Sequence, residues 1–255
     1  MSGRAAPGAC DTHCTMNVLI LGCGRSGTSI FGELFEALPG FRYLSEPPLD
    51  TIPSPAAGNL AVKVPQEAAR GSSAIGLPAR VDELLTAMPA PLTVFWVVRN
   101  PFDAVCSLRP GIADGWGHHP RPPDWKDWLD RQLVEQCAHH WATINGPGYD
   151  HVRHIAVVQR FESMIGSPLA LAQDTAQRVG VEITPEVASS LEAWAGRVQD
   201  TNNDQFVEAR SSAHRSRPDH SRRVGRWREN LTDADVELIR PIVVNAAAAH
   251  GYDLR

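Results

Sequence analysis

Lysine is almost missing from this 255-residue chain: Lys63 and Lys126 stand against twenty-two arginines. No run approaches eighteen apolar residues, the length a membrane-crossing helix needs. Met1–Met16 lacks the apolar stretch of a signal peptide. The expectation is a soluble, cytoplasmic protein with no membrane span, a flexible leader over 1–16 and one domain over 17–255. Cysteine is sparse: residues 10, 14, 23, 106 and 137 are an odd, scattered set, expected as reduced thiols. Cys10, His13 and Cys14 lack a second ligand pair at zinc-site spacing, so no metal is expected.

What is there starts with charge. The net charge of −5 is uneven, because seven arginines and one acid, Asp219, fall between Arg210 and Arg228. That segment carries +6 and leaves −11 for the remainder. An acidic chain with one arginine-dense segment suits a compact polyanion better than a nucleic-acid surface, with a solvated loop as the plain alternative.

Apolar runs at Asn17–Gly22, Phe41–Ser45, Leu60–Val64, Leu92–Val98 and His154–Val158 read as strands. Between and after them, Thr28–Leu38, Val81–Met88, Leu169–Val179 and Pro185–Trp194 carry helical periodicity. Apolar residues from Trp125 to Ile144 (Trp128 and Trp141 among them) mark one face of a long helix, with the tryptophans read as packing residues. Pro110–Pro123 reads as a Gly/Pro loop, and Thr232 as the cap of a last helix. Strands alternating with helices imply an α/β fold, a mostly parallel sheet covered on both faces.

Two motifs about seventy-five residues apart each follow a buried strand and open a helix. The first is Gly22-Cys23-Gly24-Arg25-Ser26-Gly27-Thr28-Ser29. A glycine-rich turn there aims backbone N–H groups at one place beside the positive end of a helix, an anion site by construction. As Gly22-x-Gly24-x-x-Gly27 it fits a dinucleotide fingerprint, with Glu46 where a ribose-binding acid belongs, and so an NAD(P)- or FAD-dependent oxidoreductase. As Gly22-x4-Gly27-x-Ser29 it resembles a Walker A loop, but Thr28 replaces the lysine and the Leu92–Val98 strand ends in Arg99, not aspartate.

The second motif is Arg99-Asn100-Pro101-Phe102-Asp103-Ala104-Val105-Cys106-Ser107, with an arginine fork and a hydroxyl able to converge on one phosphate. Together the two resemble the nucleotide site of sulfotransferases that use 3′-phosphoadenosine-5′-phosphosulfate (PAPS). Arg25, Ser26, Gly27, Thr28 and Ser29 resemble the 5′-phosphosulfate loop, and Arg99 and Ser107 the 3′-phosphate pair. Ordinary dinucleotides and ATP carry no 3′-phosphate, so the second motif separates the readings. Ser221–Arg228 is similar to the family's C-terminal nucleotide-binding stretch, keeping Gly225-Arg226-Trp227; Arg222 and Arg223 are the expected contacts.

The resemblance implies a single-domain, P-loop-like three-layer α/β/α fold and transfer of a sulfuryl group to an acceptor hydroxyl, leaving 3′-phosphoadenosine 5′-phosphate (PAP), without a metal. It also implies roles. Glu46, before Pro47, stands where tyrosylprotein-type enzymes have their catalytic base, and Lys63 and Arg25 would support the leaving group. The acceptor is left open among small molecules, glycans and peptides. A non-catalytic PAP-binding protein is a further alternative. His118 and His119 are either a gate for the acceptor or plain loop, and His139 and His140 are structural or exposed.

Overall fold

A computed structural model describes residues 16–53, 59–65, 75–199 and 224–254. Five strands form one sheet: β1 (Asn17–Gly22), β2 (Phe41–Ser45), β3 (Asn59–Lys63), β4 (Leu92–Val98) and β5 (Ala156–Arg160). Their order is β2-β3-β1-β4-β5, and every pairing is parallel. The helices are α1 (Thr28–Glu33), α2 (Val81–Ala87), α3 (Pro101–Ala113), α4 (Leu133–Thr143), α5 (Phe161–Gly166), α6 (Pro168–Arg178), α7 (Pro185–Gln199), α8 (Trp227–Asn230) and α9 (Asp233–Ala249).

Burial on both faces explains the unbroken apolar strands. Leu19, Leu21, Val94, Trp96 and Val98 pack against Leu108, Trp141 and Ile239 of α3, α4 and α9. The alternate residues Val18, Ile20, Phe95 and Val97 meet Phe31, Leu171 and Trp194 of α1, α6 and α7. This is the expected three-layer α/β/α arrangement. The central strands β1 and β4 are the most apolar because both their faces are dry.

Local chemistry moves some boundaries. The stripe from Trp125 to Ile144 is no continuous helix: Trp125–Trp128 is a 3₁₀ turn and α4 begins only at Leu133. The Glu135 carboxylate accepts from the Gln132 backbone N–H (3.0 Å) and fixes that start. Conversely α3 runs through Pro110 to Ala113, shortening the expected loop. Strand β5 starts two residues later than its apolar run suggests, because residues 151–155 are turns.

Chain reversal across the sheet puts its switch point at β1, which β3 and β4 flank. Ligands of open parallel sheets bind at the carboxyl ends of strands beside such a point. The loop after β1, Lys63 at the end of β3, Glu46 after β2 and Arg99 after β4 all lie on that edge.

Candidate functional site

The loop between β1 and α1 is shaped by close approach. A side chain at Gly22 (φ 141°) would put its Cβ 2.2 Å from the Val97 carbonyl oxygen, and one at Gly27 (φ 95°) would put it 2.5 Å from Cδ2 of Phe161. Glycine is required at both places. Arg25 takes a left-handed conformation (φ 66°) between them. Ser26 and Thr28 are buried, and the Ser26 N–H closes the turn onto the Cys23 carbonyl (3.2 Å).

At the end of β4, Asn100 caps α3 by accepting from the N–H groups of Phe102 (3.0 Å) and Asp103 (3.4 Å), and Pro101 occupies the first helical position. Arg99 is 4% exposed. Its carbonyl accepts from Trp141 Nε1 (3.2 Å), its guanidinium lies 4.3 Å over the Phe161 ring, and its Nη1 donates to the Arg25 carbonyl (3.2 Å). Burial lowers the Arg99 pKa to about 10; Asp103 opposes the shift, while the nearby positive charges of Arg226 and Arg25 add to it. Arg25 Nε in turn donates to Ser107 Oγ (3.1 Å). The two motifs therefore touch, with Arg25 reaching from its own loop into the second.

On the other side of β1, Lys63 is 2% exposed, and its ammonium donates to Glu46 Oε1 (2.6 Å) and Ser29 Oγ (3.0 Å). A buried lysine needs such partners, because an unpaired ammonium out of water is costly. Glu46 is left-handed (φ 53°) and anchored by its N–H on the Lys63 carbonyl (2.8 Å). Its placement conflicts with the dinucleotide reading: there the ribose-binding acid ends a strand adjacent to β1, whereas here β3 separates β2 from β1.

Two contributors, Asp103 and Glu162, escaped the sequence reading. Asp103, 1% exposed, accepts from the backbone N–H groups of Gly225 (2.7 Å) and Trp227 (3.0 Å), pinning the C-terminal segment to α3. Trp227 packs on Phe102 with ring centroids 5.0 Å apart. Docking this segment brings the buried Arg226 within electrostatic reach of Arg99. Arg222 and Arg223, the arginines expected at this wall, lie outside the described residues, as does the leader through residue 15. Glu162 accepts from the Asn100 N–H (2.8 Å) and the Tyr252 hydroxyl (2.7 Å), so Tyr252 braces the same strand end. His139 proves structural, stacked on Trp128 at 4.0 Å and bonded to Asp124 (2.7 Å).

Cys23, Cys106 and Cys137 are buried free thiols, raised in pKa by burial, as expected of reduced cysteines. Among the described residues no cluster suits a metal ion, and no helix is long and apolar enough to cross a membrane.

No protein-family model and no curated protein sequence matches the chain. Solved structures do. A mouse sulfotransferase, SULT7A1, complexed with PAP superposes with a TM-score of 0.59 at 12% identity, covering 92% of this chain and 85% of that one. The sulfotransferase domain from the curacin biosynthetic pathway gives 0.59 at 12% identity, over 95% and 99%. The sulfotransferase domain of the Synechococcus PCC 7002 olefin synthase gives 0.58 at 13% identity, over 96% and 98%. The chain thus has the fold of the sulfotransferases, along nearly its whole length.

Proposed function

We propose that this chain is a PAPS-dependent sulfotransferase acting on an acceptor hydroxyl, with PAP as its nucleotide product. The observation that carries the reading is the junction of Arg25, Ser107 and Arg99, a dry cationic corner at the end of β4, joined to a glycine-shaped anion loop at the end of β1. The donor set fits a nucleotide with phosphate at both ends of its ribose. Arg99, Ser107 and Arg226 would hold the 3′-phosphate, and residues 25–29 the 5′-phosphosulfate. Arg222 and Arg223 would add to this set on the resemblance alone.

PAPS, when bound, supplies the sulfuryl group and a phosphate leaving oxygen. The chain's own groups do the rest. Lys63, with its ammonium already on Ser29 of the loop, and Arg25 neutralise charge growing on that oxygen. Glu46 takes the proton of the acceptor hydroxyl. Lys63 also fixes where the Glu46 carboxylate points, so base and leaving-group support move as one unit.

The test is a thermal-shift series with PAP, PAPS, AMP, ADP, ATP, NAD and NADP, with and without Mg²⁺, followed by transfer of labelled sulfate from PAPS. PAP and PAPS should stabilise most, independently of Mg²⁺. Stabilisation led by NAD or NADP would refute the reading, and PAP binding without transfer to any acceptor would reduce it to a binding protein.

A further inference from the structure

The turn that follows α9 carries a buried histidine with no part in the chemistry above. His250 is 5% exposed and stands at the carboxyl end of the helix. Its Nε2 lies 2.9 Å from the carbonyl oxygen of Asn145, itself fully buried. A carbonyl only accepts, so Nε2 carries the proton and the neutral ring keeps its lone pair on Nδ1. Nδ1 is out of water and has no hydrogen-bond partner among the described residues. The ring packs on Tyr149, with centroids 4.5 Å apart.

The same turn is tied to the end of β4. The His250 carbonyl accepts from Nη2 of Arg160, which stands opposite Val98 in the sheet register. The Arg160 guanidinium lies 4.6 Å over the Tyr252 ring, and the Tyr252 N–H donates to the Ala247 carbonyl (2.9 Å). Between them Gly251 turns the chain at φ 70°, where a Cβ would lie 2.7 Å from Arg160 Nη2. Tyr252 donates to Glu162 (2.7 Å), and Glu162 accepts from the N–H of Asn100 (2.8 Å), the residue after Arg99. His250 thus holds one end of a chain of contacts that finishes beside Arg99. Asn145 leads to the same place by another route. Its Nδ2 donates to the Trp141 carbonyl (3.0 Å), and Trp141 Nε1 donates to the Arg99 carbonyl (3.2 Å).

A second proton does not suit this ring. It would put an N–H at Nδ1, where no acceptor stands, and an unpaired buried donor costs free energy. The charged and titratable groups that face the ring are Arg160 from β5, and Tyr149 and Asp150, which follow the π-helical turn Ile144–Gly148 after α4. Burial, joined by the positive charge of Arg160, holds the His250 pKa below the usual 6.5, while the Asn145 carbonyl and Asp150 oppose the shift. A released ring therefore takes up a proton more readily than a seated one. The contacts are complete above pH 6.5 and weaken as pH falls below it.

We propose that His250 is an acid-released positioning residue: when Nδ1 is protonated the turn His250–Tyr252 leaves its seat, Tyr252 lets go of Glu162, and the strand end that carries Arg99 loses its brace. That a 3′-phosphorylated nucleotide feels this release rests on the sulfotransferase reading; the release itself does not.

The experiment is amide hydrogen exchange by NMR on the full chain between about pH 7.5 and 5.5, with rates converted to opening constants at each pH. Uptake of one proton by a released ring of ordinary pKa multiplies the opening constant by about ten over this range. The N–H groups of Tyr252 and Asn100 should both show that rise, with amides of β1 reporting global unfolding separately. In His250→Gln, whose amide can still donate to Asn145 but takes up no proton, the rise should vanish at both. Long-range ¹H–¹⁵N spectra of wild type, which need no variant, should find the His250 proton on Nε2. PAP at about a hundred times its Kd should lower the Asn100 opening constant at least about tenfold, because the braced corner is the form that binds it. An opening of Tyr252 that ignores pH, a rise at Tyr252 without one at Asn100, a rise that survives His250→Gln, or a neutral ring protonated on Nδ1 would overturn the inference. The pH effect without any PAP effect upholds the release and counts against the nucleotide reading alone.

Discussion

Replacing Arg99 by methionine isolates the corner on which the nucleotide assignment depends. The guanidinium is 4% exposed and fixed by the Arg25 carbonyl and the Phe161 ring, so little freedom is lost when a phosphate arrives. A hydrogen bond to a charged partner contributes about 1.5–3 kcal/mol, and a guanidinium fork offers two. Arg226 and Ser107 stay behind and recover part of this, so the net loss is about 3 kcal/mol, or roughly a hundredfold in Kd. Isothermal titration with PAP and AMP, both at one ionic strength, reads it directly. The Kd for PAP should rise about a hundredfold while that for AMP changes less than about threefold, collapsing the preference. Arg99→Lys should restore only part, since a point charge cannot reproduce the fork. A folded Arg99→Met protein with an unaltered PAP-to-AMP ratio would refute the assignment.

Glu46→Gln should lower sulfuryl transfer by about a hundredfold or more at saturating PAPS while PAP affinity holds, which single-turnover assays would separate. Asp103→Asn replaces one partner of two backbone N–H groups by an amide that cannot serve both, costing about 1–3 kcal/mol. It should speed tryptic cleavage after Arg226 and Arg228 and weaken PAP together. Gly27→Ala meets both a φ of 95° and the Phe161 ring at 2.5 Å, and should destabilise by about 1–3 kcal/mol and abolish nucleotide stabilisation in thermal shift. Acid sensitivity has a definite sign. His118 and His140 have folded pKa values depressed below the usual 6.5, chiefly by burial, so the unfolded chain binds more protons as pH falls below 6.5. Stability should be full above pH 6.5 and decline toward pH 4 in urea titrations, by up to about 3 kcal/mol for His118 alone. His118→Asn should flatten that decline.

Legibility in the sequence followed the physics of each part. Strands β1 and β4 were readable to the residue because a strand buried on both faces must be continuously apolar. Arg25, Arg99 and Ser107 stood out because they belong to contiguous motifs, and Lys63 because it is one of two lysines and lies in an apolar run. The contact between Arg25 and Ser107, 82 residues apart, was not. Nor was Asp103, whose partners are backbone amides more than 120 positions downstream and leave no side-chain signature. The tryptophan stripe misled for a different reason. Trp125 and Trp128 do face the core, but from a 3₁₀ turn, and apolar spacing alone cannot place the break that Gln132 and Glu135 create.

The two amides held by Asp103 also set an order of events during synthesis. Sheet, loop and α3 are all encoded before residue 166, yet the wall that carries Arg226 can dock only after Trp227 has left the ribosome. An unfinished polypeptide would therefore have the carboxyl edge of its sheet assembled but lack the wall that Arg226 completes.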